Sequence, residues 1–449
     1  MGVKIVLIGA GSAQFGYDTL GDIFQSSVLT DCEIVLHDIN PKTLATVEKT
    51  GANFIRDQKL PFKLTATTSR AEALKNADFC IISIEVGDRF KLWDQDWRIP
   101  QQYGFKQVYG ENGGPGGLFH SLRIIPPILE ICGDIQSICP DAYVFNYSNP
   151  MSRICTTVHR KYPDLKFIGL CHEISSLQHH LPIILETPFE DLKLRAGGLN
   201  HFSILLEATY KKSGKDAYSD IREKAPAFFE NLPDLGNIMR QLLEAQAGST
   251  PGSEPALRAG ANKWAERGLF KLILEKYGYL PITTDSHLGE YLQWAHDVVD
   301  HKGILDFQTY YKQWILDQEP NIEMKLTERV VPIMEGILDD LNYEEAAVNL
   351  ANHGLVNDFP GFLAMEVPAI ISKKGVVGVP LGDLPKGFAG LLHNQVAIHD
   401  MTAEACLSGS KDIVMQALLV DPVVDKVSAA EKMLDTMLDL QQEYLGYIK

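Results

Sequence analysis

Three adjacent side chains that commonly bind metal ions, Cys171-His172-Glu173, follow a short apolar run at residues 167–170 that predicts a buried strand. Thiolate, imidazole and carboxylate groups all bind divalent ions. Neighbouring residues of an extended segment point to opposite sides, so at most two of the three can face one ion. A further ligand must come from elsewhere, and His201, which follows a Gly-Gly turn, is the best candidate. The same pattern equally fits a buried structural cysteine with a helix-capping Glu173.

A second pattern, Gly9-Ala10-Gly11-Ser12, links a predicted strand at residues 3–8 to a predicted helix. Glycines let the backbone approach a pyrophosphate, and the helix N-terminus offers free N–H groups. The third glycine of the common fingerprint is replaced by Gln14, and Gly16 comes two residues later. Asp38 ends the next predicted strand, 27 residues after Gly11 and a little beyond the ~20 expected for a ribose-binding acid, and a carboxylate there favours NAD over NADP. We therefore predict a dinucleotide site at Gly9, Gly11, Ser12 and Asp38. The alternative is a turn that uses glycine for geometry alone.

Two further segments carry polar groups at predicted element ends. Asn149 precedes Pro150, which favours an extended backbone there and lets the amide project from the end of a strand at residues 143–146. A simple turn is the alternative. Residues 111–117 are rich in glycine and precede a long predicted helix, which indicates either a second backbone cradle or a flexible entry loop.

Residues 285–294 concentrate titratable and aromatic side chains within a few predicted helical turns. Tyr291 would serve as a base if a neighbouring cation lowers its pKa from about 10. The alternative is a helix with one packed aromatic face.

Strands and helices alternate over the first 190 residues, which predicts a doubly wound α/β domain with a parallel sheet. We assign residues 1–190 to a Rossmann-like NAD-binding domain. Residues 191–449 are assigned to a mainly helical α+β domain for substrate, metal and self-association. Within that part, residues 203–210 predict a strand, residues 360–382 a small antiparallel element, and residues 248–254 a mobile loop.

The composition excludes several classes of protein. The chain has 449 residues, 45% of them hydrophobic, and 41 basic against 58 acidic residues give a net charge of −17. Such an acidic chain is a poor candidate for binding nucleic acid or an anionic membrane. No apolar stretch approaches the ~18 residues of a membrane span. Seven cysteines without paired spacing indicate reduced thiols and a cytoplasmic location.

Taken together, these segments resemble glycoside hydrolase family 4. The resemblance rests on Gly9-Ala10-Gly11-Ser12 with Asp38, Arg98-Ile99-Pro100 with Tyr103-Gly104, Gly113-Gly114-Pro115-Gly116-Gly117, Asn146-Tyr147-Ser148-Asn149-Pro150, Cys171-His172, Asn200-His201, and Leu418-Leu419-Val420-Asp421-Pro422. It implies a fold like that of lactate and malate dehydrogenases, NAD, a divalent metal that is usually manganese, and a homo-oligomer.

The resemblance also implies an oxidative route to hydrolysis, outside the two-carboxylate mechanism of most glycosidases. NAD takes a hydride from C3, a base removes the C2 proton, the aglycone leaves, water adds and the hydride returns. Cys171 and His201 resemble the metal pair, and Tyr291 resembles the base. His172 would assist proton transfer at C3 or at the leaving group, and Asn149 would contact sugar hydroxyls.

The Cys-His-Glu triplet resembles that of the α-galacturonidase members, so the expected substrate is a small α-linked galacturonide, a uronic acid glycoside. We expect Arg153 to pair with its carboxylate, and Arg89 and Lys91 are further candidates. Glu173 would hold His172 or a cation, or act as a leaving-group acid. The alternatives are a family 4 α-galactosidase, α-glucosidase or glucuronidase, an NAD-dependent 2-hydroxy-acid dehydrogenase, and a catalytically silent binding protein.

Overall fold

The computed structural model of the chain describes residues 2–11, 15–171, 173–232, 235–246, 267–317 and 319–449. Two residues with a predicted function, Ser12 and His172, lie outside the described residues, as does the predicted loop at 248–254.

Within the described ranges, twelve strands form one sheet with the order β3-β2-β1-β4-β5-β6-β10-β11-β7-β8-β9, and β12 pairs with β11. The strands are β1 Lys4–Ile8, β2 Glu33–His37, β3 Lys63–Thr67, β4 Phe79–Ile82, β5 Tyr143–Asn146, β6 Lys166–Gly169, β7 Leu192–Leu199, β8 Phe202–Tyr210, β9 Leu280–Pro281, β10 Tyr343–Ala351, β11 Ala364–Ser372 and β12 Gly375–Gly378.

The described α-helices flank this sheet or pack on one another. They are α1 Phe15–Phe24, α2 Pro41–Gln58, α3 Arg70–Leu74, α4 Arg89–Gln102, α5 Gly114–Ile138, α6 Met151–Lys161, α7 Leu181–Leu185, α8 Tyr218–Glu230, α9 Leu235–Gln246, α10 Gly268–Tyr277, α11 Asp285–Gly289, α12 His301–Leu316, α13 Val330–Leu338, α14 Lys386–Ser408, α15 Lys411–Val420, α16 Val427–Leu440 and α17 Gln442–Leu445. Short 3-10 helices span Glu173–His179, Phe189–Asp191 and Gln293–Asp297.

The first six strands are all parallel and follow the order 3-2-1-4-5-6. This is the order of dinucleotide-binding folds, and it confirms the predicted Rossmann-like α/β architecture. The central strand β1 is buried along its whole length. Its apolar sequence, Lys-Ile-Val-Leu-Ile, fits a strand covered by helices on both faces.

Antiparallel strands extend the same sheet beyond β6. Strand β10 pairs with β6, and the remaining strands of the second half add on from there. Helix α14 packs against α5 and α6 of the first half. The sheet therefore runs through residue 190, and the division into two domains there stays a prediction.

The β11–β12 hairpin confirms the antiparallel element predicted within residues 360–382. Strands β7 and β10 were not predicted, because β7 ends in a Gly-Gly pair and β10 begins with two adjacent glutamates, and both features are depleted in strands. None of the described helices is both long enough and apolar enough to cross a membrane.

Candidate active site

The loop between β1 and α1 brings the predicted dinucleotide-binding residues together. Gly9 has φ +87°, and a Cβ there would lie 2.0 Å from the carbonyl oxygen of Ser83. The Gly11 N–H donates to Asp38 Oδ2 over 2.8 Å. The two glycines and the acid therefore meet where β1 and β2 end, which is the edge at which such sheets bind dinucleotides.

Gly16 has the packing role of the missing third glycine. A Cβ at this position would lie 2.4 Å from the carbonyl oxygen of Ala10, so α1 can approach the end of β1 only with glycine there. Close packing of helix on strand is the role of the third glycine in the common fingerprint. Gly16 therefore takes the place of the third glycine of the motif, two residues later in the chain.

Cys171, Glu173 and His201 lie side by side beyond the end of β6. His201 occupies the tight turn between β7 and β8, with φ 62°. Its Nε2 is 3.4 Å from Cys171 Sγ and 3.6 Å from Glu173 Oε1. Alternate residues of the segment thus face one point, as expected from the period of an extended chain.

His287 on α11 joins this group. Its Nδ1 is 2.7 Å from Glu173 Oε1, and its Nε2 is 3.3 Å from Glu111 Oε2. Its ring stacks on that of His201 with the centroids 4.3 Å apart. The residues Glu173, His201 and His287 each offer a ligand atom within 4.8 Å of the others. We call Cys171, Glu173, His201 and His287 the donor cluster.

The electrostatics of the donor cluster favour a cation. Burial, and then the carboxylates of Glu173 and Glu366, raise the pKa of the Cys171 thiol well above its usual value. Burial alone would lower the pKa of His287, but the carboxylates of Glu173 and Glu111 outweigh it and raise that pKa. Thiolate, imidazole and carboxylate donors fit a divalent ion, whose charge would offset the buried acids.

Tyr291 follows α11 and is almost fully buried. Its ring stacks on Phe202 with the centroids 4.8 Å apart, and its hydroxyl lies 3.5 Å from the carbonyl oxygen of Asn200. Burial and then Glu290 raise the pKa of Tyr291 well above 10, while Arg153 acts in the opposite direction. Arg153 is a nearby cation, but it offsets the burial only in part, so the expected lowering of the Tyr291 pKa below 10 is not observed.

The glycine-rich segment before α5 is a backbone cradle, and it holds a carboxylate of the chain itself. The N–H groups of Glu111, Asn112 and Gly113 donate to Glu290 over 2.6, 3.0 and 3.1 Å. A carboxylate is favourable at the N-terminus of a helix such as α5. Because Tyr291 follows Glu290 in the chain, this contact also fixes the position of the tyrosine.

The predicted substrate-binding residues differ in their surroundings. Asn149 Oδ1 is buried and has no hydrogen-bond partner among the described residues. Arg153 on α6 is 1% exposed, and none of its guanidinium nitrogens has such a partner in that part of the chain. Arg89 Nη2 lies 3.7 Å from Glu111 Oε1, whereas the side chain of Lys91 is exposed on α4.

Sequence reasoning missed three residues that support the donor cluster or belong to it. Glu111 and His287 lay within segments that were noted for other reasons. Glu366 on β11 accepts hydrogen bonds from the side chains of Asn200, Ser203 and Asn349 and so holds the turn that carries His201. An acid inside the apolar run of β11 was the available signal, because buried carboxylates are rare unless they are paired.

Two family models cover most of the chain. The model "Family 4 glycosyl hydrolase" matches residues 4–187, and its C-terminal domain model matches residues 196–424. The chain belongs to glycosyl hydrolase family 4. The predicted resemblance is confirmed, and the chain is a glycosidase of this family.

Individual family 4 relatives cover the whole chain. An alpha-glucosidase of Erwinia rhapontici is 59% identical, with all of both chains covered. An alpha-galacturonidase of Thermoanaerobacter italicus is 28% identical, covering 99% of this chain and 97% of its own. A solved 6-phospho-alpha-glucosidase from gut microorganisms, in complex with NAD and Mn²⁺, has TM-score 0.78 and 19% identity over 98% of each chain. This last likeness confirms the fold.

Proposed function

We propose that this family 4 enzyme is an NAD- and divalent-metal-dependent α-glucosidase. The observation that carries the proposal is the 59% identity, over the full length of both chains, to a protein named alpha-glucosidase. The galacturonide expected from the Cys-His-Glu triplet has weaker support, because the alpha-galacturonidase relative is 28% identical.

The charges around the site are mixed. The carboxylates of Glu111, Glu173 and Glu290 lie in or next to the donor cluster. These acids would repel a uronate, but the buried Arg153 and the divalent ion of the proposed site would offset them. The proposal of a neutral glucoside therefore rests on the 59% identity.

The residues present fit both cofactors. Gly9, Gly11 and Asp38 would hold NAD, and Cys171 and His201 would hold Mn²⁺. The solved relative with both NAD and Mn²⁺ supports this pairing. When bound, NAD would take and return a hydride at C3 of the sugar, and the metal would act as a Lewis acid towards the sugar oxygens.

The side chains of the protein would orient the sugar and move its protons. Asn149 Oδ1 would accept a hydrogen bond from a sugar hydroxyl, which would give this buried oxygen a partner. The hydroxyl oxygen of Tyr291 would take the C2 proton, and Arg153 would stabilise the phenolate needed for that step. His172 keeps its predicted role in proton transfer.

The test is hydrolysis of nitrophenyl α-glucoside and nitrophenyl α-galacturonide by purified protein, with and without NAD, Mn²⁺ and a chelator. We expect glucoside hydrolysis that needs both cofactors, stops with chelator and returns with Mn²⁺. For the galacturonide we expect kcat/KM to be lower by about tenfold or more, which is the net contribution of about one hydrogen bond. Net accumulation of NADH, or full activity without either cofactor, would contradict the proposal.

One observation favours the galacturonide as a second candidate, namely the buried Arg153 guanidinium without a hydrogen-bond partner in the described chain. A bidentate pair with a uronate would satisfy it. The assay decides, because a preference for the galacturonide that is lost in Arg153→Gln would establish this candidate instead.

A cytoplasmic location, supported by the seven free cysteines, and self-association stay predictions.

A further inference from the structure

His287 has no role in the account so far, although it lies at the centre of the candidate site. It is 2.7 Å from Glu173 Oε1 on one side and 3.3 Å from Glu111 Oε2 on the other. Its ring stacks on His201, the histidine already expected to bind the metal. A half-buried imidazole placed so close to two acids and a second imidazole needs an explanation.

The spacing of the donor atoms suits a single ion. Two donors bound to one ion at about 2.0–2.3 Å lie about 3–3.7 Å apart when the angle between them is near 90–109°. The distances from His201 Nε2 to Cys171 Sγ, 3.4 Å, and to Glu173 Oε1, 3.6 Å, fall in this range. Glu173 Oε1 and His287 Nδ1 face the same small space, but their 2.7 Å separation is a hydrogen-bond distance, so these two atoms would move apart by about 0.3 Å to share one ion.

The surroundings of His287 resemble the outer shell of a metal site. A metal-bound histidine usually gives its second ring nitrogen to a carboxylate or a carbonyl group. His287 Nε2 faces Glu111 in this way, while its Nδ1 faces Glu173. His201 is held by its turn, which Glu366 fixes through Asn200 and Ser203.

We propose that Glu173 and His287 bind the divalent ion together with Cys171 and His201, and that Glu111 orients His287. Two imidazoles, one carboxylate and one thiolate would fill four positions of a six-coordinate ion and leave two open, where sugar oxygens can bind. The inference rests on the proposed function for the presence of a metal, and it adds the identity of the protein ligands.

The test uses the full chain, stripped with chelator and loaded with Mn²⁺, and measures binding and coordination without substrate. Electron spin echo envelope modulation counts the nitrogens bound directly to Mn²⁺. We expect two for the wild type and one for His287→Gln. We also expect the Kd for Mn²⁺ to rise by about tenfold or more in His287→Gln and Glu173→Gln, since even outer-shell changes cost that much. His296→Gln, a half-buried histidine of the next helical turn, should match the wild type.

The outcomes separate the two proposals. One bound nitrogen in the wild type, or an unchanged Kd in His287→Gln, would overturn the ligand assignment and leave the proposed function intact. A wild type that binds no Mn²⁺ would overturn both. If His287→Gln does not fold, the nitrogen count of the wild type decides alone.

Discussion

At the scale of single residues, the Tyr291 ring has little room on the side of the glycine-rich segment. A Cβ at Gly113 would lie 2.8 Å from Glu290 Cβ and 2.9 Å from Tyr291 Cδ1. Because the backbone of Gly113 has φ −116°, alanine is allowed there by conformation and is opposed only by these contacts. The smallest possible side chain at this position must therefore displace the tyrosine.

We predict that Gly113→Ala lowers kcat by about 100-fold, because a shift of about 1 Å at a reacting group costs that much. The matched control is Gly390→Ala on α14, where a Cβ meets nothing within 4 Å and the residue is exposed. The control should keep full activity and gain up to about 1 kcal/mol in helix stability. Steady-state kinetics on the preferred glycoside measure both variants, and equal kcat values would refute the steric argument.

Residue types alone predicted part of the site. The residue types of Cys171, His201 and Tyr291 indicate metal binding or proton transfer. Cys171 follows a predicted strand, His201 follows a predicted turn, and Tyr291 lies in a predicted helical segment. Glu366 could not be found in this way, because its role depends on Asn200 and Asn349, which lie far from it in the chain. The contact between His287 and Glu173 likewise depends on folding, since 114 positions in the chain separate them.

At the scale of elements, a buried carboxylate joins α1 to the segment that leads into α13. The N–H groups of Thr327 and Glu328 donate to Asp22 over 2.7 and 2.9 Å. Burial outweighs these hydrogen bonds and raises the pKa of Asp22 from 3.8 to about 6. The contact therefore ties the first helix of the dinucleotide fold to the second half of the chain in a pH-dependent way.

Between about pH 4 and pH 6, Asp22 is ionised in the unfolded chain but protonated in the folded one. The folded state then binds more protons, so the free energy of unfolding falls as the pH rises, by up to about 3 kcal/mol. Asp22→Asn lacks this contribution. In urea unfolding, the free energy of unfolding of the wild type, relative to that of Asp22→Asn, should be higher at pH 4 than at pH 7. An equal difference at both pH values would contradict the assigned pKa.

The elements themselves divide into those that local sequence could predict and those that it could not. Strand β5 was predicted with the bounds that the structure gives it, because its apolar run is a strong local signal. Strand β10 was missed, because its Glu344 and Glu345 are paired with Arg195 and Arg329 from elsewhere in the chain. Tertiary ion pairs of this kind override local propensity.

At the scale of the whole molecule, the net charge of −17 does not draw an anionic sugar inwards. Substrate recognition therefore depends on local groups such as Asn149 and Arg153. The parallel half of the sheet was predictable from alternating elements, whereas strands β7 and β10 of the antiparallel extension were not. The candidate site lies where the two halves meet, with Cys171 from the first and His201, His287 and Tyr291 from the second.

The central claim is that the glycosidic bond is broken by oxidation and elimination and not by direct displacement. Hydrolysis of an α-glucoside in D₂O, with NAD and Mn²⁺, tests it through the isotope at C2 of the released glucose. Removal of the C2 proton by Tyr291 and its return from solvent predict deuterium at C2, with turnover and incorporation lost together in Tyr291→Phe. Released glucose that keeps protium at C2 would contradict the account.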